Sequence, residues 1–524
     1  MKFNTPVSSM TQTKNYEGAK AFVMNLEMQL YTAVVTWSLN DSYYEKSDER
    51  LNRIRALIVQ NDPLFVARLA VYARHKMHMR SAPLVLVTEL AKIHSGNNLI
   101  AKTTEEIIAR ADEITELLAC YQLLNEREGL KKLNRLSKQL QKGLAAAFNK
   151  FDEYQFSKYN RDGNIRLRDA LFLVHPKAID EKQQLLFNKI AANKLETAYT
   201  WETELSALGQ NHFENETVRA EAFKNKWEEL IDSNKLGYMA LLRNLRNILQ
   251  AGVSYGHLQE VCEVISSAEK IAKAKQFPFR YLAAYRELQQ AEIQVTAPGL
   301  SEKIKNLLFG NTGYTGDLLE ALEKAAMQSA ALIAGFDQQT RVLLACDVSG
   351  SMQTPISPKS KIQLFDIGLM LAMLLQSRYK NVVVGMFGDK WKTIAVPKNS
   401  ILANVQEFYR RTGEVGYATN GYLVIQDLLD KRAVIDKVML FTDCQLWNSG
   451  GTEHIHSLWI KYKRQIAPDA KLYLFDLRGY GQSPLQLVQD DVYLLSGWSD
   501  KIFEVLNALE NGQKALHEIN SIKL

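Results

Sequence analysis

The chain is poor in cysteine. Its four, Cys120, Cys262, Cys346 and Cys444, lie far apart in 524 residues and form no CxxC pair. That argues against a structural zinc site and favours a reduced, cytoplasmic protein. Proline is scarce too, and 11 residues of it leave little room for long disordered linkers. No run of about 18 apolar residues is present to span a membrane, so no membrane partner is expected. The opening Met1-Lys2-Phe3-Asn4-Thr5-Pro6 runs into polar sequence without an apolar core, and no secretory signal is expected. There is no Walker A element for a nucleotide. Nor is there a large excess of charge. The net charge is +6, with 21 basic and 19 acidic residues from Phe336 onward and 43 and 39 before it. Global charge therefore announces no nucleic-acid partner, and only local clustering can.

What is present is ordinary globular sequence, 46% hydrophobic and 23% charged, in a chain too long for one core. Cores stop growing at roughly 250–300 residues, so at least two domains are expected. Up to about residue 335 apolar residues recur three and four apart, as in Leu64, Ala67, Val71 and Leu84, Val87, Ala91. Such segments are amphipathic helices. They are separated by short polar breaks such as Asn61-Asp62-Pro63 and Ser233-Asn234-Lys235. Helical hairpins in series point to an α-solenoid of HEAT-like repeats over 1–335, although no strict period is visible. An irregular helical bundle is the alternative.

Near Phe336 the texture changes. Short apolar runs at 341–346, 382–387, 438–441, 472–475 and 492–495 alternate with helical stretches at 362–377, 423–429 and 455–464. Buried strands alternating with helices define a doubly wound parallel sheet over 336–524. The expected class is thus α + α/β. Ligands bind beyond the carboxyl ends of such strands, which places Asp347 and Asp443 on one rim.

Asp347-Val348-Ser349-Gly350-Ser351 directly follows the first of these strands. It resembles the DxSxS element of the metal-ion-dependent adhesion site in von Willebrand factor A domains. That family's two further loops supply a threonine and an aspartate, which Thr419 and Asp443 match in order and context. The resemblance implies that Ser349, Ser351 and Thr419 ligate directly and that Asp347 and Asp443 act partly through water. Two carboxylates and three hydroxyls form an all-oxygen set suited to a hard cation: Mg2+ first, then manganese, then calcium. An open position on it would accept an acidic side chain or a phosphate. The same residue types also cap helices at strand–helix turns without any metal. Ser351 is not in a GxSxG elbow and no general base is evident, so no enzyme is expected.

The local charge signal lies between Lys131 and Arg168. Lys131, Lys132, Arg135, Lys138, Lys142, Lys150, Lys158, Arg161, Arg166 and Arg168 face only Asp152, Glu153 and Asp162. Phe148, Phe151, Tyr154, Phe156 and Tyr159 are interleaved. Basic side chains neutralise phosphates and aromatic rings stack on unpaired bases. A solvated helix face with its aromatics in the core reads equally well. Two smaller clusters, Arg74 to Arg80 and Lys270 to Arg286, are further candidates.

The stretch from Lys158 to Pro176 resembles the RNA-binding segment of Ro ribonucleoproteins, the TROVE-domain family. Met239-Ala240-Leu241-Leu242-Arg243-Asn244-Leu245, Asn15-Tyr16-Glu17-Gly18-Ala19 and Phe277-Pro278-Phe279-Arg280 are similar to other elements of that family. So is the order of a helical domain before an A-type domain. The resemblance implies a monomeric ring of helical repeats closed by the A domain. It implies an outer basic surface for small noncoding Y RNAs and a central hole for single-stranded 3′ ends of misfolded RNA. A cooperating exoribonuclease such as polynucleotide phosphorylase is implied as well. By position Lys158 would meet phosphate, His175 would sit at the Y-RNA surface, and Arg161, Arg166 and Arg168 would support them. Asp162 departs from the pattern, because that position is usually basic. A protein-interaction adaptor that uses the A-domain metal is the competing reading.

Overall fold

The computed structural model describes residues 12–15, 20–36, 47–125, 136–160, 163, 165–296, 313–333, 339–357, 360–447, 454–485, 487, 491–499, 501–510 and 516–524. The chain divides into two compact units. One takes 26–37, 48–203 and 514–524, and the other takes 1–25, 38–47 and 204–513.

The first unit is helical. The helix Pro63–His75 starts where Asp62 accepts from the backbone N–H of Leu64 and Phe65 at 2.7 and 3.1 Å, with Pro63 supplying a preset φ. Its buried face includes Phe65, Val66, Leu69 and Ala70, and it packs against the helix Ser81–Ile93. The helix Leu99–Ile107 packs in the same way against Lys138–Ala147. The short helix His517–Asn520 returns to Pro63–His75, where Arg68 Nε donates to the Ile522 carbonyl at 2.8 Å and Ile519 is buried.

In this unit the Arg74 to Arg80 cluster holds the fold together. Arg74 and Arg80 converge on the acidic start of the helix Asp112–Leu124. Arg74 meets the fully buried Glu113 at 2.8 Å, and Arg80 meets Asp112 and Glu116 at 2.9 and 2.7 Å. His75 contacts the Glu106 carbonyl at 3.0 Å and Lys76 pairs with Glu518 at 2.8 Å. Its charge is thus largely matched by carboxylates, and little is left over for RNA.

The second unit begins with two short strands, β1 (Gln12–Lys14) and β2 (Lys20–Val23). Its main sheet contains β3 (Arg341–Asp347), β4 (Asn381–Phe387), β5 (Trp391–Thr393), β6 (Lys437–Thr442) and β7 (Lys471–Asp476). After β8 (Gln482–Ser483) the sheet is completed by β9 (Val492–Ser496). The order is β5-β4-β3-β6-β7-β9, and every pairing is parallel except β4 with β5. These strands read as unbroken apolar runs because helices cover both faces. The helix Leu364–Arg378 is buried along nearly its whole length. β2 bridges β1 and β8 in a separate antiparallel sheet, with Phe22 opposite Ser483.

The helices ahead of the sheet are joined to it by buried charge. Arg286, on the helix Phe279–Thr296, donates two hydrogen bonds of 2.7 Å to Asp366 on Leu364–Arg378. Its guanidinium also lies 4.8 Å from the centre of the Tyr409 ring. Glu323, on Gly313–Ala331, accepts from the N–H groups of Ile401, Leu402 and Ala403 and so caps the helix Leu402–Arg411. Arg286, one of the basic residues of the Lys270 to Arg286 cluster, is therefore engaged within the fold. Among the described residues no helix is long and apolar enough to cross a membrane.

Candidate functional site

β3 pairs with β4 on one side and with β6 on the other, so the sheet order reverses at its carboxyl end. Asp347 is the last residue of β3, and Asp443 follows β6 directly. Asp347, Ser349, Ser351, Thr419 and Asp443 are all buried on this rim. Three bonds close the loops into a triangle. Gly350 N–H donates to the Tyr417 carbonyl at 3.0 Å, joining the serine loop to the threonine loop. Trp447 N–H donates to the Thr419 carbonyl at 2.9 Å, joining the threonine loop to the second aspartate loop. Thr442 Oγ1 donates to Asp347 Oδ2 at 2.6 Å, joining the last loop to the first.

Within the triangle the hydroxyls of Ser349 and Ser351 are 3.2 Å apart, and Asp347 Oδ1 accepts from Ser349 N–H at 2.9 Å. Asp443 Oδ1 accepts from Gln445 N–H at 3.0 Å, while its Oδ2 is buried with no hydrogen-bond partner among the described residues. Burial pushes both carboxyls above the usual carboxylate range, and at Asp347 the negative charge of Asp443 adds to the effect. Ser351 and Arg478 partly counter it at Asp443. Two desolvated carboxylates facing one another with an oxygen left over are what a hard cation would relieve. Among the described residues no cluster of three or more His, Cys, Asp or Glu side chains could hold a metal, so a cation on this rim would depend on the hydroxyls.

Backbone geometry holds the loops close. Cys444 sits at φ +63, a left-handed conformation that turns the chain just after Asp443 while its N–H donates to Thr442 Oγ1 at 3.1 Å. Gly416 has φ +73 and lies against the Asp389 carboxylate, and a Cβ on Gly388 would collide with the Gly416 carbonyl. Gly416→Ala is expected to destabilise this unit by about 1–3 kcal/mol, read as a lower denaturant midpoint. Unchanged stability would show that the loop relaxes freely. Thr442 escaped the sequence reading. Its only signal is its position beside Asp443 at the end of a strand.

The residues expected to meet RNA belong to the first unit, apart from those that lie outside the described residues: Lys131, Lys132, Arg135, Arg161 and Asp162. Lys138 is exposed at the first position of Lys138–Ala147. Lys158 is exposed on the helix Glu153–Tyr159, with its Nζ 5.7 and 5.6 Å from the ring centres of Tyr154 and Tyr159. Arg166 is the exposed N-cap of Leu167–Val174, and Arg168 lies over the Phe172 ring at 5.7 Å. His175 ends that helix in the left-handed conformation, φ +51, with its side chain exposed.

The interleaved aromatics divide. Phe148, Phe151 and Phe156 are core residues packed on one another. Tyr154 is 46% exposed, and Phe172, which the sequence reading passed over, is 52% exposed, so these two rings are available for stacking. Lys150 is used internally, donating to the carbonyls of Glu105 and Ile108 at the end of another helix.

The TROVE domain family matches residues 7–203 and 191–339, and the Ro60 vWA domain family matches residues 341–508. Telomerase protein component 1 of Rattus norvegicus is 23% identical over 345 residues, which is 50% of this chain and 13% of that protein. The Mus musculus protein of the same name is 22% identical over 334 residues, 48% of this chain and 12% of its own length. The chain thus spans only a small part of these relatives. The crystal structure of the Deinococcus radiodurans RO (RSR) protein superposes with a TM-score of 0.58 at 16% identity, covering 93% of this chain and 100% of that one. This chain belongs to the Ro/TROVE family of RNA-binding ribonucleoprotein components, with a helical region followed by a von Willebrand factor A-type sheet domain.

Proposed function

We propose that this protein binds a small structured noncoding RNA of the Y type on the basic face carrying Lys138, Lys158, Arg166, Arg168 and His175. It also takes single-stranded 3′ ends of misfolded RNA and presents them to an exoribonuclease such as polynucleotide phosphorylase. It acts as a cytoplasmic binding protein and not as a catalyst. The observation that carries the reading is the pairing of exposed cations with exposed rings. Lys158 stands by Tyr154 and Arg168 by Phe172, and neither cation has a carboxylate partner among the described residues. Cations of this kind are free to neutralise phosphate, and the rings beside them offer stacking surfaces. Shape and unpaired ends then set the specificity, because the deep groove of folded RNA hides its bases.

At the sheet rim Ser349, Ser351, Thr419, Asp347 and Asp443 would hold Mg2+. The buried, unpartnered Oδ2 of Asp443 supports this assignment. The ion would supply an open coordination position for an acidic or phosphate oxygen of a partner. Ser351→Ala is expected to weaken Mn2+ binding, followed by titration calorimetry, about tenfold or more. Equal affinity in the variant would remove Ser351 from the ligand set.

A second reading, a metal-dependent adaptor for an acidic protein, is favoured by Tyr417 and Trp447. These flank Thr419 and are 50% and 44% exposed. Chelation separates the two readings. Binding of a labelled hairpin RNA in monovalent salt survives EDTA if RNA sits on the Lys158 face. A main partner that is a protein and is lost in EDTA, with no RNA bound, supports the adaptor instead.

A further inference from the structure

Two sequence elements far from the basic segment, Met239 to Leu245 and Phe277 to Arg280, meet in one cavity of about 360 Å³. The helix Tyr238–Ala251 contributes Met239, Leu242, Arg243 and Arg246. Their three- and four-residue spacing puts them on a single face. The helix Phe279–Thr296 contributes Arg280, Ala283, Ala284 and Glu287 at the same spacing. The two alanines leave the space that a larger pair would fill, and the volume suits a small polar ligand.

The charges in this cavity are not balanced. Arg246 is answered by Glu287 at 3.3 Å. Glu287 is shared with Lys361 at 2.9 Å. The guanidinium groups of Arg243 and Arg280 have no carboxylate or hydrogen-bond partner among the described residues. Arg280 is held by the stacked rings of Phe277 and Phe279, with its guanidinium 5.9 and 5.8 Å from their centres. Aromatic faces fix a guanidinium in place without neutralising it. Burial, and then the nearby positive charge of Arg243, push Arg280 below its usual range. Asn244 is buried and bonds the Ala240 carbonyl at 2.9 Å and Asn247 at 2.8 Å, which leaves Arg243 to the cavity.

Two uncompensated guanidinium groups lining one cavity, that of Arg280 in the first turn of its helix and held by aromatic rings, favour a doubly charged anion with several acceptor oxygens. We infer that the Arg243–Arg280 cavity binds the terminal phosphomonoester of a nucleotide, either a free nucleoside monophosphate or the phosphorylated end of an RNA strand. A phosphodiester carries one negative charge and would leave one guanidinium unanswered. A monoester, near two negative charges at neutral pH, would match both. The cavity therefore distinguishes a phosphorylated end from a hydroxyl end. This selectivity does not depend on the Lys158 face, which belongs to the other unit.

The test uses the full chain and four probes: inorganic phosphate, AMP, and one short single-stranded oligoribonucleotide with and without a terminal phosphate. Calorimetry is used for the small probes and fluorescence anisotropy for the strands. The phosphorylated strand is expected to bind about tenfold or more tightly than its hydroxyl twin, the scale of charge-assisted bonds to an anion. Arg243→Gln and Arg280→Gln should each erase that difference, while Lys158→Glu/Arg168→Glu should leave it intact. AMP binding as tightly as the phosphorylated strand identifies a mononucleotide site. Tight binding by the strand alone identifies an RNA-end site. Equal binding of the two strands by the parent protein overturns the inference. So does a difference that persists in a folded Arg243→Gln variant, checked by its melting temperature.

Discussion

Replacing Arg286 with alanine is expected to cost the second unit about 3–5 kcal/mol of stability, the scale for removing one partner of a buried ion pair. The reason is what the change leaves behind. Asp366 is fully buried and accepts two bonds of 2.7 Å from Arg286, plus one of 2.8 Å from Gln363 N–H. Without Arg286 a carboxylate would remain in the core with one backbone donor. The Tyr409 ring would lose its cation as well. Arg286→Met/Asp366→Leu is expected to recover part of the loss, because two apolar groups leave no stranded charge. Urea unfolding of the three proteins checks this. A loss under about 1 kcal/mol for Arg286→Ala would mean that water or another donor reaches Asp366.

The second large effect is on RNA affinity. Lys158→Glu/Arg168→Glu is expected to weaken binding of a small hairpin RNA about a hundredfold at low salt. Each side chain would lose one charge-assisted phosphate contact, and each such contact supplies about tenfold. The salt dependence should flatten with it. Two fewer phosphate contacts reduce the slope of log affinity against log salt by about 1.4–1.8. Both changes lie on exposed positions, so the melting temperature should stay near the parent value. Anisotropy titrations at several KCl concentrations read both quantities. An unchanged slope would place the RNA on another surface.

Much of this was legible in the sequence because burial leaves a compositional trace. The strands at 341–347, 381–387, 437–442, 471–476 and 492–496 are apolar runs, and Asp347 and Asp443 stand out as acids at the ends of two of them. The short strands were not legible. β1, Gln-Thr-Lys, and β8, Gln-Ser, carry no apolar alternation, and β2 pairs across more than 450 residues. Their existence depends on tertiary contacts. The basic residues show the same limit. Arg74, Arg80 and Arg286 resemble Lys158 and Arg168 in sequence, but their fate depends on whether a carboxylate such as Glu113, Asp112 or Asp366 is brought beside them. Phe148, Phe151 and Phe156 were indistinguishable from Tyr154 until packing placed the three phenylalanines in the core. The convergence of Arg243 with Arg280 was invisible for the same reason.

The most direct test of RNA binding is to purify the full chain at low salt without nuclease, and then to extract and sequence the nucleic acid that comes with it. A single small hairpin-bearing RNA should be enriched, and it should disappear from Lys158→Glu/Arg168→Glu. Recovery of no RNA, or of the same RNA in equal amount with the reversed variant, would contradict the account.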